Sequence, residues 1–169
     1  ENERDRASTA EKAAKNDRAI AEATVKFLHD DLLAQADPLL EPDRDLKLRT
    51  LLDRAAATIS NRYGDAPLVE ASIRQLIGDT YESLGEYDLA RLHLERAREI
   101  NQQQLDYNDA RRLVNKNSLA RLEMNQGHYQ LAEELFREVL EAAEATVGEN
   151  HPNYFIPLNG LAFLYRQSD

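Results

Sequence analysis

Sliding the sequence against itself by 42 residues brings Ile77, Leu119 and Leu161 into one column and Gly78, Ala120 and Ala162 into the next. The same offset pairs Gly85 with Gly127, Tyr87 with Tyr129, Leu89 with Leu131, Ala90 with Ala132 and Leu94 with Phe136. Tyr81 meets Tyr165 across two periods, with Glu123 standing between them. Such a recurrence confines the chain to architectures in which one supersecondary unit stacks on its own copies, because a lone unit cannot bury its apolar face.

Each recurring position has a packing reason. Ile77, Gly78 and Tyr81 fall on one face of a first helix, with the small residue where another helix must come close. Gly85 and Gly127 fall just after that helix, where a left-handed residue lets the chain reverse. Tyr87 and Tyr129 open a second helix, Ala90 and Ala132 again admit a close neighbour, and Leu94 and Phe136 fill the space between layers. Composition agrees with an all-helical chain: Gly and Pro number only 6 and 5, Trp is absent, and Ala, Leu, Glu and Arg abound.

Two further helices are predicted before the repeats. Ala21, Val25, Leu28 and Leu32 recur at helical spacing, with Phe27 and Leu33 widening the stripe, and the "DPLLEPD" segment with Pro38 and Pro42 ends this helix. A second runs from about Asp45 to Arg62, carries Leu48, Leu51, Leu52, Ala55 and Ile59, and is closed by Gly64 and Pro67. From Glu1 to about Asp17 charges alternate and the only apolar side chains are alanines, which predicts a solvated extension. The expected organisation is therefore a charged helical extension over 1–19, a helical pair capping the array over 20–68, repeats over 69–110 and 111–152, and the first helix of a truncated third over 153–169.

Charge and motif content narrow the function. With 21 Lys and Arg against 31 Asp and Glu, the net charge is −10, which disfavours a nucleic-acid partner; Arg111 and Arg112 form an isolated basic pair. The absence of cysteine removes disulfides, thiolate metal sites and a cysteine nucleophile. His29, Asp30 and Asp31 are the densest group of catalytic residue types, but neighbours on a helix point about 100° apart, so a solvated face is expected rather than a metal site. His93 and His128 lack metal-ligand spacing, and His151 suits capping in the turn between repeats. Glu133, Glu134, Glu141 and Glu144 sit beside Arg137 at ion-pair spacings. No phosphate-cradling or nucleophile-elbow glycine motif occurs, so neither cofactor nor catalytic residue is expected. No apolar run reaches the roughly 18–20 residues of a membrane span, and the first residue is Glu1, which predicts a soluble, processed or excised fragment making no membrane contact itself.

The segment "LIGDTYESLGEYDLARLHLERA" resembles a tetratricopeptide repeat, with the family's small residue at Gly78, Tyr81, Gly85, Ala90 and Ala97 in place. "NSLARLEMNQGHYQLAEELFREV" resembles a second copy that departs at Glu123 and Val139, and "LNGLAFLYRQSD" resembles the first helix of a third. The 42-residue period, with "GENHPN" before the third copy, is similar to the longer repeats of the kinesin-light-chain type. With "FLHDDLLAQADP", then "LLDRAAATI", then the repeats, the chain from about Ile20 onward is also similar to the region after the membrane span in bacterial serine/threonine kinases with tetratricopeptide tails, and membrane-spanning winged-helix regulators carry similar arrays. The resemblance implies a right-handed superhelical solenoid and a noncatalytic module that binds a protein or peptide. It implies a sensor or scaffold arm of a larger bacterial signalling protein, extracytoplasmic, with a cytoplasmic location still open.

In that fold the first helix of each repeat lines the concave groove, so its positions form rows. One row reads Gln75, Asn117, Asn159; the next Asp79, Arg121, Phe163; another Glu82, Met124, Arg166. Amides present a donor and an acceptor, which suits gripping the backbone of an extended peptide, while Arg121 and Arg166 suit an acidic side chain or terminal carboxylate. The same amides equally suit bonding to the adjacent helix, and Phe163 equally suits a helix missing from the fragment. A homodimer formed through the first helix or the unfinished repeat is the alternative.

Overall fold

The computed structural model describes residues 3–33, 48–107, 109–146 and 152–167. Among the described residues every regular element is helical: α1 (Glu3–Lys26), a π-helical segment (Phe27–Leu33), α2 (Leu48–Tyr63), α3 (Pro67–Ser83), α4 (Tyr87–Gln104), α5 (Ala110–Asn125), α6 (Tyr129–Thr146) and α7 (Pro152–Gln167). The expected proline loop around Pro38 and Pro42, and most of the "GENHPN" turn with His151, lie outside the described residues. No described helix is long and apolar enough to cross a membrane. The chain divides into two compact units, Glu1–Ile73 and Arg74–Asp169, with α3 contributing to both.

In the first unit α2 buries Leu51, Leu52, Ala55, Ile59 and Tyr63 along one stripe, as its spacing predicts, whereas Leu48 at its first turn is exposed. The expected first-helix stripe is corrected in part: its member Phe27 is buried, and the side chains of Leu32 and Leu33 lie outside those described. Ala21, Val25 and Leu28 are exposed, while Ile20, Ala23 and Thr24 are half-buried and Phe27 is 1% exposed. Small and apolar residues occupy more than one face of α1, so periodicity alone does not choose the buried one. Phe27 is also the residue at which the backbone passes into the π-helical turn.

The second unit stacks successive helices around clustered apolar side chains. Ala120, Ala132, Phe136, Leu161 and Leu164 form one cluster, with Met124, Leu135 and Leu140 packed against it. Leu113, Val139 and Ala143 form another beneath Tyr154. The reversal glycines adopt the expected conformation, Gly85 with φ 76° and Gly127 with φ 81°. Each hands the chain directly to the next helix, whose first residue is Tyr87 or Tyr129. At Gly78 an added Cβ would lie 2.7 Å from Leu94 Cγ, which is why a small residue recurs there.

The third column behaves differently. Ala162 is exposed, and the close approach falls to Gly160, whose Cβ would stand 2.4 Å from the Phe136 ring. Position 78 faces the second helix of its own repeat; position 160 faces the second helix of the preceding one. With no described helix following α7, Ala162 has no such neighbour.

Candidate functional site

Helices α3, α5 and α7 carry the three candidate rows, and the structure treats the two ends of those rows differently. Between α3 and α5 long polar side chains reach across and occupy one another. Arg121 Nε donates to both oxygens of Glu82 at 2.7 and 2.9 Å, and its Nη2 donates to Asp79 Oδ1 at 2.9 Å and to Glu82. Asn125 adds a bond to Glu82 at 2.8 Å. Glu82 is buried, so its charge is held by these donors instead of water. The hydrogen bonds that Arg121 donates to Glu82, outweighing the opposing effect of burial, push its guanidinium above its ordinary range.

Gln75 is taken up in the same way. Its amide nitrogen donates to Asp79 at 3.0 Å and to Ser118 at 2.9 Å, and its oxygen accepts from Asn115 at 2.7 Å. Asn115 also donates to the Leu94 carbonyl at 3.0 Å, tying α5 to α4. Met124 packs into the apolar cluster. Asn117 is buried, and its Oδ1 has no hydrogen-bond partner among the described residues.

The α7 members are placed otherwise. Asn159 and Arg166 are exposed, and Phe163 keeps 40% of its surface in solvent. Two residues that row reasoning passed over join them: Val114 on α5 and Ile156 on α7, both exposed and 42 residues apart. That offset, applied one helical turn before Asn117 and Asn159, is the signal that finds them. On another side of α7, Tyr165 donates to Glu133 at 3.0 Å and accepts from Arg137 at 2.8 Å.

Elsewhere in this unit Glu123 takes the place that Tyr81 holds one repeat earlier. Tyr81 is buried and stacks on His93 with ring centroids 5.6 Å apart. Burial, aided by the Arg74 charge, lowers the His93 pKa to about 4, and Arg74 lies 3.3 Å from its Nδ1. Glu123 is equally buried but bonds Arg91 and His128. Burial works against its charge; the bonds from Arg91 and His128 outweigh it and keep the carboxyl below its usual range.

Asp109 caps α5 by accepting from the Arg111 backbone at 2.9 Å, and Arg111 folds back onto the same carboxylate at 2.6 Å. Those Arg111 bonds hold Asp109 below the ordinary carboxylate range. In the first unit His29 and Asp30 are exposed and hydrogen-bond each other at 2.9 Å. No group of three or more His, Asp or Glu among the described residues is placed to hold a metal ion.

Residues 71–104 match one family model and residues 109–169 another, each described as tetratricopeptide repeat. No curated protein matches the chain.

Proposed function

The chain belongs, over residues 71–104 and 109–169, to the tetratricopeptide-repeat proteins, whose repeats are generally noncatalytic and mediate protein–protein contact, and from that premise we propose that it grips an extended peptide across α5 and α7. The observation that carries this reading is the exposure of Asn159, Phe163 and Arg166, whose row counterparts Gln75, Asp79, Glu82 and Arg121 bond one another, together with the exposure of Val114 and Ile156. Ile156 and Phe163 would take apolar side chains, the Asn159 amide would bond peptide backbone, and Arg166 would take a carboxylate. Asn117, with its buried unpartnered oxygen, would receive a backbone N–H. Rigid helices keep the receptor's ordering cost low, so the peptide's own ordering limits affinity.

The wider context we propose is the sensor or scaffold arm of a bacterial signalling protein, with a serine/threonine kinase domain elsewhere in the parent. Its support is the similarity of the chain from Ile20 onward to the tails of such kinases, and the 42-residue period is what favours repeats of the kinesin-light-chain type. A second reading is self-association within a membrane-bound transcriptional regulator. It is favoured by the exposed Phe155, Ile156, Phe163 and Tyr165 on α7.

Peptide display against the whole chain tests the first reading. Selected peptides should lose at least about tenfold in affinity on Phe163→Ala or Asn159→Ala, while thermal melting stays unchanged. Peptides indifferent to both variants overturn it. Light scattering across concentration tests the second: a dimer dispersed by Phe155→Ser supports it, and a monomer throughout removes it.

A further inference from the structure

A cavity of about 410 Å³ opens in the second unit between α4, α5 and α6, lined by none of α3 or α7. Its volume lies in the range of roughly 300–1,000 Å³ typical of ligand sites. Along α4 it extends from Arg91 to Gln102, about 16 Å at roughly 1.5 Å per residue, so it is a trench and not a bowl. The floor is one face of α5, where Arg112, Asn115, Leu119 and Glu123 follow one another at helical spacing. Leu131 and Leu135 of α6 supply an apolar wall, with Leu131 45% exposed.

Three features of the trench ask for a partner. Most of its charges are already matched: Arg98 with Glu95 at 2.8 Å, Lys116 with Glu138 at 2.8 Å, and Arg91 with Glu123. Arg112 is the exception among the described residues. It sits over the Tyr107 ring at 5.4 Å and reaches the Leu105 carbonyl at 3.4 Å, with no carboxylate in ion-pair contact. Asn115 is 1% exposed, uses its nitrogen fully, and leaves Oδ1 without a donor. A buried acceptor of this kind is unfavourable until an N–H or O–H reaches it. The third feature is the uncovered Leu131.

Arg112 and Asn115 are three residues apart on α5, so their side chains leave the helix about 5–6 Å from each other. An anion and a donor that close belong to one residue or to neighbours, which a peptide provides through its backbone N–H and an Asp or Glu side chain. A fatty acid supplies the anion and the apolar body but no N–H. We propose that this trench binds an extended segment of a second protein, about five residues long at roughly 3.3 Å each, with an acidic residue at the Tyr107 end and aliphatic side chains toward Leu131. The site stands independently of the α5–α7 surface.

Titrating the ¹⁵N-labelled chain with acetyl-Leu-Ala-Leu-Ala-Asp-amide tests the proposal. Saturable shifts are expected at trench amides of α4, α5 and α6, with at least about fivefold weaker binding when the probe's Asp is replaced by Asn. Arg112→Gln should weaken binding about five- to tenfold, and Leu131→Glu should abolish it, both with melting unchanged. No saturation, equal affinity for the Asp and Asn probes, or tighter competition by dodecanoate each overturn the proposal. Shifts confined to α7 and the Val114–Asn117 turn also overturn it, while favouring the α5–α7 reading.

Discussion

The α3–α5 seam and the α5–α7 seam use equivalent sequence positions for opposite ends. At the first, Gln75, Asp79, Glu82 and Arg121 bond one another and leave little for a ligand. At the second, Asn159, Phe163 and Arg166 face solvent, as do Val114 and Ile156. A repeat position therefore does not carry a role by itself. Its role depends on whether the neighbouring repeat offers a complementary side chain: a carboxylate pair awaits Arg121, whereas the next member of that row is Phe163.

The comparison extends to pH. The first repeat buries His93 against Tyr81; at the matching place the second has Leu135, with Glu123 in the tyrosine's position. His93 is protonated near 6.5 in the unfolded chain but only near 4 in the fold, so between those values the unfolded state binds more protons. Stability should fall as pH drops through that window, by on the order of 3 kcal/mol, and be regained above it. Denaturant unfolding across pH 4–7 measures this, and His93→Phe should flatten the curve. Glu123, held below its usual range, gives its own loss at lower pH, as the solution passes down through the carboxylate region.

Breaking the closed seam should cost less than that, but far more than touching the open one. Arg121→Ala strips buried Glu82 of its cation, and we expect a loss of about 2 kcal/mol, below a fully buried pair because Arg121 keeps some water. Arg166→Ala should stay within about 0.5 kcal/mol. Equal losses in paired denaturation curves would erase the distinction between the seams.

Within α7 the contrast is steric. Gly160→Val drives a side chain into the Phe136 ring and should cost about 1–2 kcal/mol, whereas Ala162→Val on the exposed side should change little. Melting temperatures of the two variants decide it. Asn117→Ala should change stability as little as Arg166→Ala, within about 0.5 kcal/mol, because its oxygen has no bond to lose. Unchanged melting with weakened peptide binding would assign Asn117 to recognition; an equal loss of both would assign it to packing.

The repeat was legible because its register rests on short-range geometry. A turn residue with positive φ and a small residue at a helix contact admit few substitutes, so Gly85, Gly127 and Gly78 announce themselves. The candidate rows were legible as positions but not as partners. Arg121 meets a carboxylate 39 residues away, and no local pattern states which side chain its guanidinium will reach. Likewise Glu123 reads as a departure from the repeat until Arg91 and His128 are seen around it. The buried side of α1 stayed hidden because residues of similar apolarity lie around the helix, and tertiary contact selects among them.

At Gly85 and Gly127 an added Cβ would meet nothing within 4 Å, so the demand for glycine there is one of handedness alone. A residue of mirror-image chirality satisfies that demand. D-alanine built in by chemical ligation would retain both reversals and restrict the denatured chain, adding roughly 0.4–1 kcal/mol at each site. L-alanine at the same places would strain both, although either enantiomer has room.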